Sequence, residues 1–277
     1  MYNAVANELL YTAYRLTTSF ELRDDNKART KTGTAFFVRG EDGTKYLFTN
    51  RHMADIGYGE PAGKFIGAKL ASVRVEGLGP EDGELRSLPN RPISLDLVAP
   101  VERLRFADNY FEDVACFVDP RIKSEKEGPR TIHYTLNQRE FADDSWIESN
   151  LLVCDFVAFP GFPPWHDKLA NRPILRTGTL SSDPRTNYSD EPMHKGRRIA
   201  YEAFSFGGSS GSPVVAPSRG LQGGDGIVAS GYREAKVIGI NAGHFSADHG
   251  AHSGVSYFIK SSAILDLIRR WPATSVC

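Results

Sequence analysis

Long hydrophobic runs are missing from this sequence, and cysteine is scarce. No apolar stretch approaches the roughly 18 residues of a membrane-spanning helix, and the opening MYNAVANELLYTAYR lacks the basic leader and unbroken apolar segment of a secretion signal. The three cysteines, Cys116, Cys154 and Cys277, are odd in number and widely spaced, which fits neither a disulfide framework nor a zinc site. We therefore expect a soluble protein of a reducing compartment, located in the cytoplasm.

An excess of charge of either sign is missing as well. Lysine and arginine total 33 against 34 aspartates and glutamates, so no bulk field would draw the chain to nucleic acid or anionic lipid. Hydrophobic residues make up 40% of the chain and charged residues 24%, as in an ordinary globular protein. The sequence therefore predicts neither a nucleic-acid partner nor a membrane partner.

Helical patterns are few, and short β-like segments dominate instead. TAFFV and KYLFTN flank RGEDG, which is rich in glycine and acidic residues and predicts a hairpin turn. DVACFVD alternates, so Val114, Cys116 and Val118 would point to one side and Ala115 and Phe117 to the other. Helices are predicted near residues 4–11 and over SSAILDLIRRW, which has one apolar face.

Many short strands separated by turns predict an all-β protein of the sandwich or barrel type. A charged stretch near residues 120–145 separates two such β-rich blocks. We therefore expect two β modules, residues 1–120 and 146–277, joined by a linker over 121–145. The closing helix would belong to the second module.

One stretch, SFGGSSGSPVV at residues 205–215, contains four serines and raises the question of which one serves chemistry. A flexible linker would not be bordered by strand-like segments, and a phosphate-binding loop would need a lysine and a following helix. A nucleophile elbow would make Ser209 the nucleophile, but it also needs a helix directly afterwards. Pro213 and two valines favour a strand there, so the elbow is the weaker interpretation.

A serine nucleophile needs a general base, and the base needs a carboxylate to hold its tautomer. The sequence offers His52 at the end of YLFTNRHM, Asp113 at the start of DVACFV, and Ser210 in the serine-rich loop. The histidine and the acid would lie in the first module and the serine in the second, with the chemistry in the cleft between them. The rival candidates are Asp96 and Asp108 for the acid, and Ser209 and Ser212 for the nucleophile.

Taken together and in order, GTAFFV, YLFTNRHM, EDVACFV and GGSSGSPVV resemble the trypsin-like serine peptidases, in particular the bacterial trypsin-like domains without disulfides. VAFPGFP with PILRTGTLSS, VIGINAG and SGVSYFIKSSAILDLI resemble further strands and the last helix of those domains, so the resemblance covers most of the chain. It implies two antiparallel six-stranded β-barrels, a short N-terminal helix and a C-terminal helix. It also implies a serine endopeptidase that works through an acyl-enzyme without a cofactor or a metal ion.

The resemblance also implies roles for individual residues. Ser210 would attack the scissile carbonyl, and His52 would accept its proton while Asp113 binds the other ring nitrogen. The backbone N–H groups of Gly208 and Ser210 would form the oxyanion hole. An extended substrate would pair as an added strand. The residues implied for substrate binding are Asn241, Ala242 and Gly243 along that strand, and Phe204, Ser205, Phe206 and Gly254 in the side-chain pocket.

Two positions depart from the pattern of that family. Ser212 stands where glycine is usual, and Ser209 stands where aspartate is frequent. In digestive members that aspartate pairs with an ammonium group freed by cleavage, and burying an ammonium without a counter-charge costs on the order of several kcal/mol. We therefore expect the chain from Met1 to need no amino-terminal processing, and its oxyanion hole to be ordered by local hydrogen bonds or by a regulatory partner.

Other functions remain open at the level of sequence. A catalytically idle domain of this type would use the cleft to bind peptides or a partner protein, and an esterase would use Ser209. The segment HFSADHGAH brings His244, Asp248, His249 and His252 close together, as a metal site would require. Because the spacing H-x4-H-x2-H fits no common zinc site, we expect a solvated loop beside the cleft. The expected partner is a protein or peptide substrate.

Overall fold

The computed structural model describes residues 2–23, 28–60, 63–124, 131–220, 231–247 and 251–272. Most of the regular structure is strand. The strands are β1 (Ala13–Glu21), β2 (Ala28–Arg39), β3 (Lys45–Thr49), β4 (Lys69–Pro80), β5 (Pro89–Leu97), β6 (Leu104–Phe106), β7 (Ala115–Val118), β8 (Ile122–Ser124), β9 (Leu136–Asn137), β10 (Phe156–Gly161), β11 (Ile174–Leu180), β12 (Arg198–Glu202), β13 (Pro213–Ala216), β14 (Lys236–Ser246) and β15 (His252–Lys260). The α-helices of these residues are α1 (Asn7–Leu10), α2 (Arg51–Ala54), α3 (Pro100–Arg103), α4 (Asp144–Asn150) and α5 (Ser261–Arg270).

The first module is a sheet formed by β1 to β9. Within the described residues it has nine strands in the order β6-β7-β3-β2-β1-β4-β5-β8, with β9 beside β2. The predicted hairpin between β2 and β3 is present. Its turn is closed by the Asp42 carboxylate, which accepts from the backbone N–H of Thr44 at 2.9 Å, and Gly43 supplies a φ of +83°.

Strand β7 is buried on both sides, as the alternation of its sequence predicts. Val114, Cys116 and Val118 belong to one hydrophobic cluster, and Ala115 and Phe117 belong to another. Burial raises the pKa of the Cys116 thiol well above its usual value, so this cysteine packs as a neutral hydrophobic side chain.

The second module is a closed six-stranded barrel in the order β10-β11-β12-β15-β14-β13. The segment after the serine-rich loop is strand β13 and not a helix, and all four of its residues are buried. Helix α5 follows β15 and buries the predicted apolar face formed by Ile264, Leu267 and Ile268.

One hydrophobic cluster joins the two modules. It contains Phe36 and Phe48 from the first module together with Ile240, Ile259 and Ile264 from the second. Because close-packed side chains leave little freedom for sliding, this shared core fixes the position of the serine-rich loop relative to β2 and β3.

The predicted all-β class, with two β modules and a helix near each end, is confirmed: the second module is a closed six-stranded barrel as expected, and the first is a sheet of nine strands within the described residues. The module boundaries at 120/121 and 145/146 stay a prediction, and β8, β9 and the start of α4 fall within residues 121–145. Among the helices of the described residues, none has the length and apolar character to cross a bilayer.

Candidate active site

His52 lies on α2, a single helical turn that follows the end of β3. The preceding residue but one, Asn50, is fully buried and donates from Nδ2 to the backbone carbonyl of Asp113 at 2.7 Å. The side chain of Thr49 donates to the carbonyl of Thr34 on β2 at 2.9 Å. These two bonds tie the end of β3 to the start of β7 and to β2, so they position the histidine.

The carboxylate of Asp113 holds His52 at two points. Oδ2 lies 2.6 Å from ring nitrogen Nδ1, and Oδ1 accepts from the backbone N–H at 2.9 Å. The side chain of Asp113 is 5% exposed and that of His52 is 25% exposed. This pairing favours the tautomer with the proton on Nδ1, so the lone pair of Nε2 is left to accept a proton.

The rival carboxylates are engaged elsewhere. Asp96 accepts from Arg74 at 2.9 and 3.2 Å, and Asp108 pairs with Arg270. The structure therefore brings Asp113, and neither rival, to His52.

Glu112, the residue before Asp113, links this part of the first module to the second module. Glu112 is buried and accepts two hydrogen bonds from Arg197, each of 2.7 Å, while Arg197 also donates to Asp266 of α5 at 2.6 Å. Burial lowers the pKa of the Arg197 guanidinium, but its bonds to Glu112 and Asp266 raise it more, so the pKa ends above its usual value. The guanidinium is therefore a permanently charged link between the modules.

The loop that carries Ser210 begins with a tight turn. The N–H of Ser209 donates to the carbonyl of Phe206 at 2.9 Å, and Gly208, the third residue of the turn, has a φ of +92°. Gly207 is not in the positive-φ region, so this is a type II turn, which requires glycine at its third position. A Cβ atom at residue 208 would also collide with the carbonyl oxygen of Phe162.

The backbone N–H groups of this loop fall into two sets. Those of Ser209, Gly211 and Ser212 donate to backbone carbonyls. In the described part of the chain, no group accepts from the N–H of Gly207, Gly208 or Ser210. Of these donors, Gly208 and Ser210 flank Ser209, as the two donors of an oxyanion hole would.

The carbonyl groups of the loop are held by two residues outside it. Thr34 donates from Oγ1 to the carbonyl of Gly208 at 2.7 Å and from its backbone N–H to the carbonyl of Ser210 at 2.8 Å. Asn241 donates from Nδ2 to the carbonyl of Ser209 at 2.8 Å. Hydrogen bonds from the neutral side chains of Thr34 and Asn241 thus hold this turn.

Burial separates the serines of the loop. The hydroxyls of Ser209 and Ser212 are buried and have no hydrogen-bond partner among the described residues, whereas Ser210 is half-exposed. The backbone of Ser210 lies near α2, but among the described residues no hydrogen bond joins its hydroxyl to the ring of His52. A Cβ atom at Gly33 would lie 3.1 Å from the carbonyl oxygen of Ser210 and 2.9 Å from Cε of Met53, the residue after His52.

The expected substrate strand corresponds to a free edge of β14. Strand β13 pairs with β14 only as far as Ile240, and from Ala242 to Ser246 the strand pairs with β15 alone among the described residues. The backbone of Asn241 is not free, because its N–H donates to Ser212 at 2.8 Å and its carbonyl accepts from Gly211 at 3.0 Å. The available edge therefore begins at Ala242 and includes Gly243.

The expected pocket residues are divided between the surface and the barrel. Ser205 is buried, donates to the carbonyl of Gly243 at 3.4 Å and accepts from Ser256 at 3.0 Å. Phe204 is 52% exposed, and its Cζ would lie 3.7 Å from a Cβ atom at Gly254. Its ring therefore points towards Gly254 on β15, a direction that the sequence does not reveal.

Two histidine rings lie beside Phe204. His244 and His252 are stacked with centroids 4.2 Å apart, and Phe204 lies 5.0 Å from His252. Burial and the neighbouring His244 lower the pKa of His252. Of the remaining metal candidates, Asp248 and His249 lie outside the described residues, and within those described no three His, Cys, Asp or Glu side chains form a metal-binding group.

Sequence reasoning did not single out Thr34 as a support of the loop, or the side chain of Asn241. It also missed Lys31, whose ammonium donates to the backbone carbonyl of His52 at 2.7 Å. The sequence signal for Thr34 and Asn241 is a polar residue within an otherwise apolar segment. Thr34 precedes AFFV, and Asn241 interrupts VIGI and AG.

Comparison with known proteins supports the fold. No protein-family model matches the chain, and no curated protein sequence matches it. Among solved structures, the HtrA-type protease AlgW with a tripeptide matches with a TM-score of 0.52 and 15% identity, covering 96% of this chain and 62% of that one. A variant of AlgW with a tripeptide matches with the same TM-score and identity, covering 99% and 65%.

The chain therefore spans less than two thirds of the length of these AlgW structures. At 15% identity the likeness establishes the fold and does not transfer an activity. The closed barrel, the second large sheet and these neighbours together give the chain the chymotrypsin-like fold of trypsin-like peptidases.

Proposed function

We propose that this protein is a serine endopeptidase in which Ser210 is the nucleophile, His52 the general base and Asp113 the residue that orients the base. The observation that carries the proposal is the contact of 2.6 Å between Nδ1 of His52 and the buried carboxylate of Asp113. It leaves Nε2 free to accept a proton, and the carbonyl of Ser210 lies next to Gly33 of β2, as does the side chain of Met53, the residue after His52.

The proposed reaction begins when the hydroxyl of Ser210 attacks the scissile carbonyl and Nε2 of His52 accepts its proton. Asp113 stabilises the imidazolium that forms. The oxygen of the tetrahedral intermediate accepts from the N–H groups of Gly208 and Ser210, which have no acceptor within the described chain. His52 then protonates the leaving amine, and water hydrolyses the acyl-enzyme in a second round of the same steps.

A peptide fits this site better than a compact small molecule. The free edge of β14 from Ala242 offers backbone groups to an extended chain. Both AlgW structures contain a tripeptide, which agrees with peptide binding in this fold. Phe204 and Gly254 would contact the side chain before the scissile bond.

The competing function is a catalytically idle domain that binds a peptide or a partner protein in the same cleft. It would need the edge of β14 but neither His52 nor Asp113. An esterase that uses Ser209 gains no support, because the Ser209 hydroxyl is buried and β13, not a helix, follows the loop.

Hydrolysis of a quenched fluorogenic peptide library by purified protein separates these functions. We expect cleavage by the wild type, with product ends identified by mass spectrometry, and none by Ser210→Ala. Ser212→Ala is a matched control, because it removes a buried hydroxyl from the same loop. Peptide binding without cleavage by the wild type, or cleavage that persists in Ser210→Ala, would overturn the proposal.

A further inference from the structure

Lys31 lies beside the candidate base but has no part in the proposed reaction. It precedes Gly33 by two residues on β2, so both residues face the same side of the sheet. That side meets the carbonyl of Ser210 and the side chain of Met53. The ammonium of Lys31 donates to the backbone carbonyl of His52 at 2.7 Å.

The charge of Lys31 is only partly compensated. Burial lowers the pKa of its ammonium, and the charges of Asp113 and Asp55 oppose that effect. Both carboxylates are already committed, Asp113 to His52 and Asp55 to Arg51 at 3.3 Å. Among the residues that the structure describes, no carboxylate lies within ion-pair distance of Nζ, and one carbonyl is its hydrogen-bond partner.

An ammonium has three N–H donors, and among the described residues one of those of Lys31 has an acceptor, so two can bind a ligand. An anionic ligand would form a charge-assisted hydrogen bond with this half-buried cation. The imbalance grows during the proposed reaction. When His52 accepts a proton, two cations, Lys31 and His52, are opposed by the single carboxylate of Asp113.

The position of Lys31 indicates which part of a substrate would reach it. The acyl part would lie against the second module, along β14 and the pocket of Phe204. His52 must face the leaving group, because Nε2 returns its proton to the departing amine. Lys31 is bonded to the main chain of His52 within the first module, so it would face the leaving-group side.

We propose that Lys31 is a specificity-determining residue whose ammonium binds an acidic side chain of the substrate, at the first or second residue after the scissile bond. The inference rests on the proposed peptidase function. A charge-assisted hydrogen bond from Lys31 to a carboxylate is stronger than one to a neutral amide. Peptides with glutamate at that position are therefore favoured over those with glutamine.

Matched peptides test this directly. A quenched peptide that is cleaved at one mapped bond is made in four versions, with Glu or Gln at the first or the second residue after that bond. For the wild type we expect kcat/KM to be about tenfold higher for Glu than for Gln at one of these positions. The ratio should fall as sodium chloride is raised, because salt screens the pair.

Three variants assign the effect to this side chain. Lys31→Met should bring the Glu/Gln ratio to about one, and Lys31→Arg should keep a preference for Glu. Lys45→Met, which removes an exposed lysine at the start of β3, is the control for net charge and should leave the ratio unchanged. If Lys31→Met does not fold, Lys31→Glu with a lysine-containing peptide provides the charge-reversed pair.

A ratio near one in the wild type, or a preference that persists in Lys31→Met, would overturn the inference. Equal losses for the Glu and Gln peptides in Lys31→Met would mean that Lys31 only supports the backbone of His52. Binding of the labelled peptides to Ser210→Ala, measured by fluorescence anisotropy, separates this inference from the proposed function. If the Glu peptide binds more tightly than the Gln peptide but the wild type cleaves neither, the role of Lys31 is supported and the peptidase function is refuted. If the wild type cleaves both peptides without a preference, the peptidase function is supported and the role of Lys31 is refuted.

Discussion

The two modules hold their parts of the candidate site by different kinds of interaction. In the first module, His52 depends on a buried carboxylate, because Asp113 binds both its ring and its backbone N–H. In the second module, the loop FGGSSGS around Ser210 contains no ionisable side chain. Its carbonyls are held by neutral donors from Thr34 and Asn241.

This difference separates charge from backbone shape. The charge of Asp113 decides which nitrogen of His52 carries the proton, so a neutral replacement alters the chemistry and keeps the shape. In the loop, the direction of the peptide N–H groups depends on the φ of Gly208. A single methyl group there alters the shape and leaves every titratable group in place.

Asp113→Asn tests the part of the site that depends on charge, which is the pair of His52 and Asp113, and it has the largest expected effect. The amide keeps the size of the side chain but holds the wrong tautomer of His52, so peptide turnover should fall by about 10⁴-fold. Circular dichroism should show an unchanged fold. Asp96→Asn is the control, since Asp96 binds Arg74 on β4, and turnover should stay within about twofold. A large loss in Asp96→Asn with little loss in Asp113→Asn would transfer the role of the acid to Asp96.

Gly208→Ala tests the part of the site that depends on backbone shape, which is the turn before Ser210. Alanine is strained at a φ of +92°, and its Cβ collides with the carbonyl of Phe162, so the turn must change and its N–H must move. Loss of one oxyanion donor lowers kcat by about 10²- to 10³-fold. Gly43→Ala provides the control, because Gly43 has a φ of +83° with no atom within 4 Å of a Cβ there. Equal kcat values for Gly208→Ala and Gly43→Ala would argue against the oxyanion hole at this turn.

Thr34→Val sharpens the comparison by removing one neutral support of the loop. Valine keeps the shape of threonine but leaves the carbonyl of Gly208 and the N–H of Phe162 without this partner. An unsatisfied buried group costs about 1–3 kcal/mol, so we expect a lower melting temperature and a roughly tenfold lower kcat. Thr34→Ser retains the hydroxyl and should restore both quantities. Stability and kcat that do not change in Thr34→Val would mean that the loop is held by other contacts.

An uncleavable amino-terminal fusion is expected to have the smallest effect. Ser209 offers no charge to an inserted ammonium, and Thr34 and Asn241 already hold the loop. Peptide hydrolysis by the fused protein should therefore stay within about twofold of that of the unfused protein. A fused protein that gains activity only when a new terminus is cut between Met1 and Gly33 would show that activation requires processing.

The strands and the order of the candidate residues could be predicted from sequence because they depend on local patterns. Alternation in DVACFVD predicts a strand with two faces, and the structure buries both of them. The apolar face of α5 was predicted in the same way. The frame of the serine-rich loop also favours Ser210 over its neighbours, and the buried hydroxyl of Ser209 agrees with that choice.

The supports of the site could not be predicted, because they join residues that are distant in sequence. Thr34 is separated from Gly208 by 174 positions, and Asn241 from Ser209 by 32. No periodicity links such positions. The ring of Phe204 likewise takes its direction from Gly254 on another strand.

Covalent labelling with a fluorophosphonate probe is the most direct test of the central claim, that Ser210 is activated by His52 and Asp113. Peptide mapping by mass spectrometry should locate the label on Ser210 in the wild type, find none in Ser210→Ala, and find much slower labelling in His52→Ala. A label on Ser209 or Ser212, or labelling of the wild type that is no faster than that of His52→Ala, would contradict the account.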